Sequence, residues 1–491
     1  MSTEYEQSAA SAIAAAWIEA NRGRLGAASD RIWELAEPGL CEVESAEVLI
    51  ALLAEAGFTI DRGAAGFESG FVARFGTTGP IIGLSCEYDA TPGELQDAVP
   101  HAADRPGRTA GFTDLHNGIG VASAGAACAI ARALSTGGLP GRIVVLGTPA
   151  EKLCVGKPFF ARDGHLDGLD AVVAWHPRKY STVEWDDGPG VQLGAVFGFA
   201  GRTTYAARPW DGVNALDAVV LMDVILKYIK DRLPASIRAS VSRIIVDGGL
   251  HPTSVPATAQ AWYVHRAADL DGIRQVSDLV TRAAESAAHA TGAVMTRDVV
   301  SATRPWLPNH ALAESAWRGL QEAGAPRFSE AAKAFGREVM RNVGREVLAE
   351  PFDETLTDPS ARAGLDFAGG ADDVNEFCWH APTARIYVAH GLVGDHLPNW
   401  ARSAFTGIDA AHSTVITAAR AMAFTVLRLL QNPHELQAAA AEFRDRIESA
   451  GRIPVQLPAD ARPPLETVGM PPFVAHHLLR ASDARRGADS R

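Results

Sequence analysis

Three apolar runs, each ending on acid or imidazole, constrain this chain more than any other feature. Residues 80–86 (Pro-Ile-Ile-Gly-Leu-Ser-Cys) lead into Glu87-Tyr88-Asp89. Residues 142–147 (Arg-Ile-Val-Val-Leu-Gly) lead through Thr148-Pro149-Ala150 into Glu151-Lys152, and residues 169–175 (Leu-Asp-Ala-Val-Val-Ala-Trp) lead into His176-Pro177. Short, continuous apolar runs bounded by turn residues read as buried strands. Helical stretches lie between them, so the expected architecture is a mostly parallel sheet flanked by helices, an α/β domain. In such sheets ligands bind beyond the C-terminal ends of the strands. The segment Thr113-Asp114-Leu115-His116-Asn117 adds a carboxylate and an imidazole just before a small-residue helix that starts Gly118-Ile-Gly-Val-Ala-Ser-Ala. An Asp and a His two residues apart can hold one divalent cation. Alone, the pair reads equally as a solvated or capping loop. Delivery of Asp114, His116, Glu151 and His176 to one edge of one sheet favours a site.

The chain has 491 residues, enough for two or three domains. A formal net charge of −13 argues against a nucleic-acid face. No basic stretch followed by an apolar run opens the N-terminus, and no apolar run approaches a membrane span, so a cytoplasmic protein that meets no membrane is expected. Cys41, Cys86, Cys128, Cys154 and Cys378 are scattered and odd in number, which suits reduced thiols rather than a disulfide framework.

Residues 8–57 carry helical periodicity, and a long polar loop over residues 91–112 ends on the Asp/His pair; loops of that length are usually functional or disordered. From about Gly194 the texture changes to roughly four strands and two amphipathic helices around Gly248-Gly249, a compact α+β insertion. The first texture resumes near Ser301, and Ala410-Ala-His412-Ser413 opens an alanine-rich helix. The expected boundaries are therefore 1–193 and 301–432 for the two parts of the catalytic domain, 194–300 for the insertion, and 433–491 for a C-terminal extension on the surface or disordered.

The order of motifs resembles the co-catalytic zinc peptidases that include aminoacylases, carboxypeptidase G and auxin-conjugate amidohydrolases. The matching pieces are Cys86-Glu-Tyr-Asp89-Ala, Asp114-Leu-His116-Asn117, Gly147-Thr-Pro-Ala-Glu151, Trp175-His176-Pro177, Asn214-Ala-Leu-Asp-Ala-Val, Gly248-Gly249, Trp400 and Ala411-His412. The resemblance implies a zinc-exopeptidase-like catalytic domain with an inserted lid that also mediates homodimerisation. It implies hydrolysis of a C–N bond in a small N-acyl, N-aroyl or arylamine carboxylate. It places Glu151 as general base, Asp114, His116, His176 and His412 as ligands of divalent zinc or manganese, and Asp89 as a residue orienting a ligand. Arg266, Thr253, His396 and Trp400 fall at substrate-facing positions.

The chain also departs from that pattern. Close relatives carry a cysteine ligand at Asp114, and the paired glutamates read Glu151-Lys152. A lysine ammonium about 4 Å from a metal ion repels it by about 4 kcal/mol per unit charge pair at an effective dielectric near 20. One ion is therefore expected rather than two, with Lys152 weakening or replacing the other. The lid histidine reads Tyr205, the lid asparagine Thr253, and the late histidine falls on Pro398-Asn399-Trp400. Two further readings stay open: a metal-poor relative catalysing acyl transfer or condensation through Lys152, and a non-catalytic relative.

Overall fold

The structure is a computed structural model that describes residues 8–186, 188–361, 370–394 and 397–465. Helices α1 (Ala9–Ala20), α2 (Arg22–Leu35) and α3 (Val43–Glu55) come first, followed by strands β1 (Thr59–Arg62), β2 (Phe71–Phe75) and β3 (Ile81–Cys86). Helix α4 (His116–Gly137), β4 (Arg142–Gly147), α5 (Gly156–Arg162), β5 (Ala171–Arg178) and β6 (Thr182–Val183) complete the part of the chain before the insertion. The insertion contains β7 (Val191–Ala200), α6 (Ala215–Ile229), β8 (Ser240–Asp247), β9 (Thr258–Ala267), α7 (Leu270–Thr291) and β10 (Val294–Ala302). The chain then returns through α8 (His310–Ala323), α9 (Glu330–Asn342), β11 (Thr383–Ala389), α10 (Asn399–Ala404), α11 (Asp409–Gln431) and α12 (Pro433–Ala450).

The main sheet has the order β1-β2-β4-β3-β5-β11-β6, with β4, β3, β5 and β11 mutually parallel at its centre. The continuous apolar runs become these central strands because both their faces are covered. One face, with Ile82, Leu84, Val145, Val173 and Trp175, packs on α1 to α4 and α11. The other, with Val144, Leu146, Val172 and Ala174, packs on α5 and a 3-10 turn over Asp373–Trp379. The insertion is a separate antiparallel sheet of order β8-β9-β7-β10, covered on one face by α6 and α7 around its own apolar core. Asn214 caps α6 by accepting from the Leu216 amide, and Asp269 caps α7 from the Gly272 amide.

Two helices, α4 and α11, are long and apolar enough to cross a membrane by length and composition, a length that the apolar runs of the sequence did not suggest. Both are core helices here, most of their apolar length buried against neighbouring elements. Gly120 lets α4 approach the sheet: a Cβ there would lie 2.8 Å from the Glu87 carbonyl oxygen and 2.7 Å from Leu49 Cδ1. The Gly120 amide donates to that same Glu87 carbonyl at 2.8 Å. The first turn of α4 is thereby fixed against the end of β3, which brings His116 beside Asp89. The long loop before it is clamped, its Arg105 and Arg108 guanidinium groups lying 4.8 and 3.9 Å from the centre of the Trp33 ring.

The first part of the C-terminal extension is more firmly packed than expected. Helix α12 packs on α8, Glu442 accepts from the His310 and Ala311 amides at the start of α8, and Leu457 is buried with the α5 core.

Candidate active site

Four chain segments converge at the C-terminal edge of the main sheet. Asp89, just past β3, is fully buried and acts as their hub: its Oδ1 accepts from His116 Nδ1 at 2.8 Å and its Oδ2 from the Lys152 amide at 2.8 Å. With Nδ1 donating to Asp89, His116 presents the Nε2 lone pair inward. His176, near the end of β5, is arranged the same way. Its Nδ1 donates to the Pro177 carbonyl at 2.8 Å, and its Nε2 lies 3.8 Å from Asp114 Oδ2. The two rings meet edge to face with centroids 5.9 Å apart. Glu151 opens a short 3-10 turn after β4, held between two left-handed residues that are not glycine, Ala150 (φ 56°) and Cys154 (φ 51°). Such strain persists where surrounding structure enforces it; here Glu42 Oε1 accepts from the Ala150 amide at 2.6 Å.

Lys152 occupies the gap between these groups. Its Nζ lies 2.6 Å from Asp114 Oδ1, donates to His116 Nε2 at 2.8 Å, and lies 3.8 Å from Glu151 Oε2. Glu151 Oε2 is itself 3.3 Å from His116 Nε2. Burial, and then the charge of Asp372, push the Glu151 carboxyl well above the usual carboxylate range. Burial would also raise Asp114, but the Lys152 ammonium, through its charge and its hydrogen bond, together with the neighbouring imidazoles, outweighs it and holds that carboxyl well below its ordinary value. Burial, followed by the Arg385 charge, holds the His176 imidazole neutral far into acid.

Behind these groups lies an ionic layer that sequence reasoning missed. The fully buried Lys157 ammonium sits 2.8 Å from Glu87 Oε1 and 2.5 Å from Asp373 Oδ1. Arg385 on β11 pairs with Asp372 at 2.5 Å. Burial pushes Asp373 up to about 8 against the pull of Lys157. Six carboxylates (Glu87, Asp89, Asp114, Glu151, Asp372 and Asp373) thus face three cations (Lys152, Lys157 and Arg385) in one largely buried region. The signals in the chain were slight: a lysine inside the apolar Gly156-Lys-Pro-Phe-Phe run, and an Asp-Asp pair after Gly370-Ala.

The described residues contain three groups able to hold a metal ion: Asp114 with His116 and His176; Glu87 with His116 and Glu151; and Glu151 with Asp372 and Asp373. The first has the donor chemistry of one divalent ion, a carboxylate and two imidazoles whose Nδ1 atoms are tied back. The set does not fit two ions, because Lys152 takes the remaining lobe of Asp114 and the side facing Glu151.

Of the other expected site residues, His412, Tyr205, Thr253 and Trp400 are not gathered here. His412 was expected to be a ligand, and that expectation is corrected. Its Nε2 lies 2.7 Å from Asp30 Oδ1, its ring rests against Gly26 of α2, and it is absent from every candidate ligand group among the described residues. The helix face carrying Ala410, Ala411, Thr414 and Val415 is buried, which turns His412 the other way. Tyr205 and Thr253 are exposed on the insertion, where Thr253 Oγ1 lies 2.8 Å from His251 Nδ1. Arg266 is half-buried on β9, and Trp400 is half-buried against the cluster around Phe328, Phe352 and Phe405. His396 lies outside the described residues. All five cysteines are free and buried.

No protein-family model matches the chain. It is 29% identical over 445 residues to one subunit of p-aminobenzoyl-glutamate hydrolase from Escherichia coli (strain K12), covering 86% of this chain and 92% of that protein. It is 26% identical over 374 residues to Xaa-Arg dipeptidase of Mus musculus, covering 75% and 74%. Among solved structures, the aminobenzoyl-glutamate utilization protein from Klebsiella pneumoniae superposes with a TM-score of 0.56 at 14% identity, covering 83% of this chain and 97% of that one. The fold is shared.

Proposed function

We propose that this chain, a divergent relative of the co-catalytic zinc peptidases and amidohydrolases, is a metal-dependent hydrolase of C–N bonds in small N-acyl or N-aroyl amino-acid-like or arylamine carboxylates. The observation carrying the reading is the buried Glu151 carboxyl beside the inward-facing Asp114, His116 and His176. Those three residues would hold one divalent ion, zinc or manganese, which when bound supplies Lewis acidity to the water and to the scissile carbonyl. Glu151, raised by burial and by Asp372, takes the proton of the attacking water and returns it to the leaving amine. Lys152 contributes a fixed positive charge beside Glu151 and Asp114, where negative charge develops as the carbonyl is attacked. Asp89 holds His116 and the Lys152 backbone in place. In this reading Tyr205 of the lid would offer its phenol to the oxyanion, and Thr253 and Arg266 would meet the substrate from the same insertion.

The protein is read as cytoplasmic, meeting neither membrane nor nucleic acid, and as a homodimer through the lid. Support for the dimer is the exposed apolar surface of the insertion, with Val220, Val224 and Tyr228 on α6 and Ile244 and Ile245 on the edge strand β8. Sedimentation of Ile244→Glu is expected to give monomer where the parent gives dimer.

Turnover of a panel of N-acyl and N-aroyl amino acids should be lost on chelation and restored by zinc or manganese. Glu151→Gln should lower kcat by about 10²–10⁴-fold with the melting curve intact. Undiminished activity of that variant sinks the assigned base. Full activity in excess chelator favours instead a metal-free reaction run by Lys152, the reading that the ammonium lodged between Asp114 and His116 supports.

A further inference from the structure

We propose that Arg178 anchors the carboxylate of the substrate, an assignment that rests on the hydrolase reading and adds the group that selects for an anion. Residues alternate faces along a strand, so Ala174, His176 and Arg178 of β5 point the same way. In the parallel pairing with β11, Tyr387 stands opposite His176 and shares that face with Arg385. The Arg178 guanidinium carbon lies 4.8 Å from the centre of the Tyr387 ring. The ring is immobilised by the bond from its hydroxyl to Glu184, and Arg385 approaches its centre at 5.6 Å.

The two guanidinium groups differ in one respect. Arg385 is matched by Asp372. Among the described residues Arg178 makes no ion pair, and its Nε is buried without a hydrogen-bond partner. Burial and the neighbouring Arg385 work against this cation, the Tyr387 phenol beside it works the other way, and the Nε–H stays unmet; an incoming carboxylate would supply the counter-charge that no described carboxylate supplies. A planar guanidinium fixed on an aromatic face takes a carboxylate through two parallel N–H bonds.

Spacing sets the size of the ligand. Two residues along a strand put the Arg178 Cα about 6.6 Å from that of His176. An anchor at that separation suits a substrate whose carboxylate is only a few bonds from the scissile amide, as in an N-acyl amino acid. It does not suit a long peptide. Arg266 looked suited to the same task from sequence, but it lies on the lid, whereas Arg178 lies on the strand that carries His176.

The probes are hippurate, N-acetylglutamate and the corresponding carboxamides. The parent is expected to favour the carboxylates in kcat/KM by about 10- to 100-fold. In Arg178→Met that ratio should fall towards one, mostly through KM, while Arg178→Lys keeps part of it. Arg178→Gln serves if the Met variant does not fold. Binding is read separately by titrating hippurate into the Glu151→Gln protein with and without Arg178→Met, which needs no turnover. Equal use of carboxylate and carboxamide by the parent overturns the proposal. So does failure of both carboxylates to bind, or hippurate binding indifferent to Arg178 with the melting curve preserved. Binding that depends on Arg178 while every probe resists hydrolysis overturns the hydrolase reading and leaves the anchor standing.

Discussion

Lys152 decides what kind of centre this is. A glutamate at its position would add a ligand; the ammonium instead spends its contacts on Asp114 Oδ1, His116 Nε2 and Glu151. Because His116 Nε2 would serve both Lys152 and a metal ion, the two compete for it. Lys152→Glu is therefore expected to raise bound metal from about one to about two ions per chain, read by elemental analysis of dialysed protein. Unchanged stoichiometry would show that Lys152 is not what limits it. Residue by residue, the site was legible where a strand fixes direction. Asp89, Glu151, Lys152 and His176 follow apolar runs whose ends could be read, Asp114 ends a long polar loop just before α4, and they meet. His412 was not legible, because on a helix each residue turns about 100° and motif order says nothing about which side faces the sheet. Its buried neighbours Ala410, Ala411, Thr414 and Val415 leave it on the α2 side, bonded to Asp30.

Among elements, the central strands were readable because burial on both faces leaves a continuous apolar run, unlike amphipathic alternation. The turn over Asp373–Trp379 and the helix α5 were not, since a lysine or an Asp pair looks like surface until a partner arrives from a distant segment. Strand β9 makes a similar point. His265 lies on its core side, fully buried, with neither ring nitrogen hydrogen-bonded. Burial, aided by Arg297, pushes its pKa down to about 3, against about 6.5 in an unfolded chain. Between those values the unfolded state binds a proton that the folded state refuses. Its contribution is thus neutral above about pH 6.5 and increasingly destabilising below it, by up to about 1.4 kcal/mol per pH unit. Urea melts followed by tryptophan fluorescence from pH 7 to pH 4 should show this loss, and His265→Leu should flatten it. An identical acid slope in the variant would assign the loss to other groups.

For the whole molecule, the governing fact is that unconnected parts of the chain bring like charges to one place. The ends of β3, β4 and β5, the start of α4 and the segment before β11 together supply more carboxylates than cations. Buried charge of one sign is costly, and a fold tolerates it only if protons or a cation restore the balance. Without metal the balance must come from protons, consistent with the upward displacement of Glu151 and Asp373. A divalent ion entering between Asp114, His116 and His176 should therefore stabilise the fold and expel protons together. The expected gain is about 2.7 kcal/mol at a hundredfold excess of free ion over its Kd, seen as a rise in Tm on adding zinc or manganese to chelator-treated protein. Calorimetric titrations in buffers of different ionisation enthalpy should detect the released protons, and Asp114→Asn should abolish the rise in Tm. A Tm indifferent to both ions would mean that Lys152 and bound protons already complete the charge balance, and the centre would then have to work without metal.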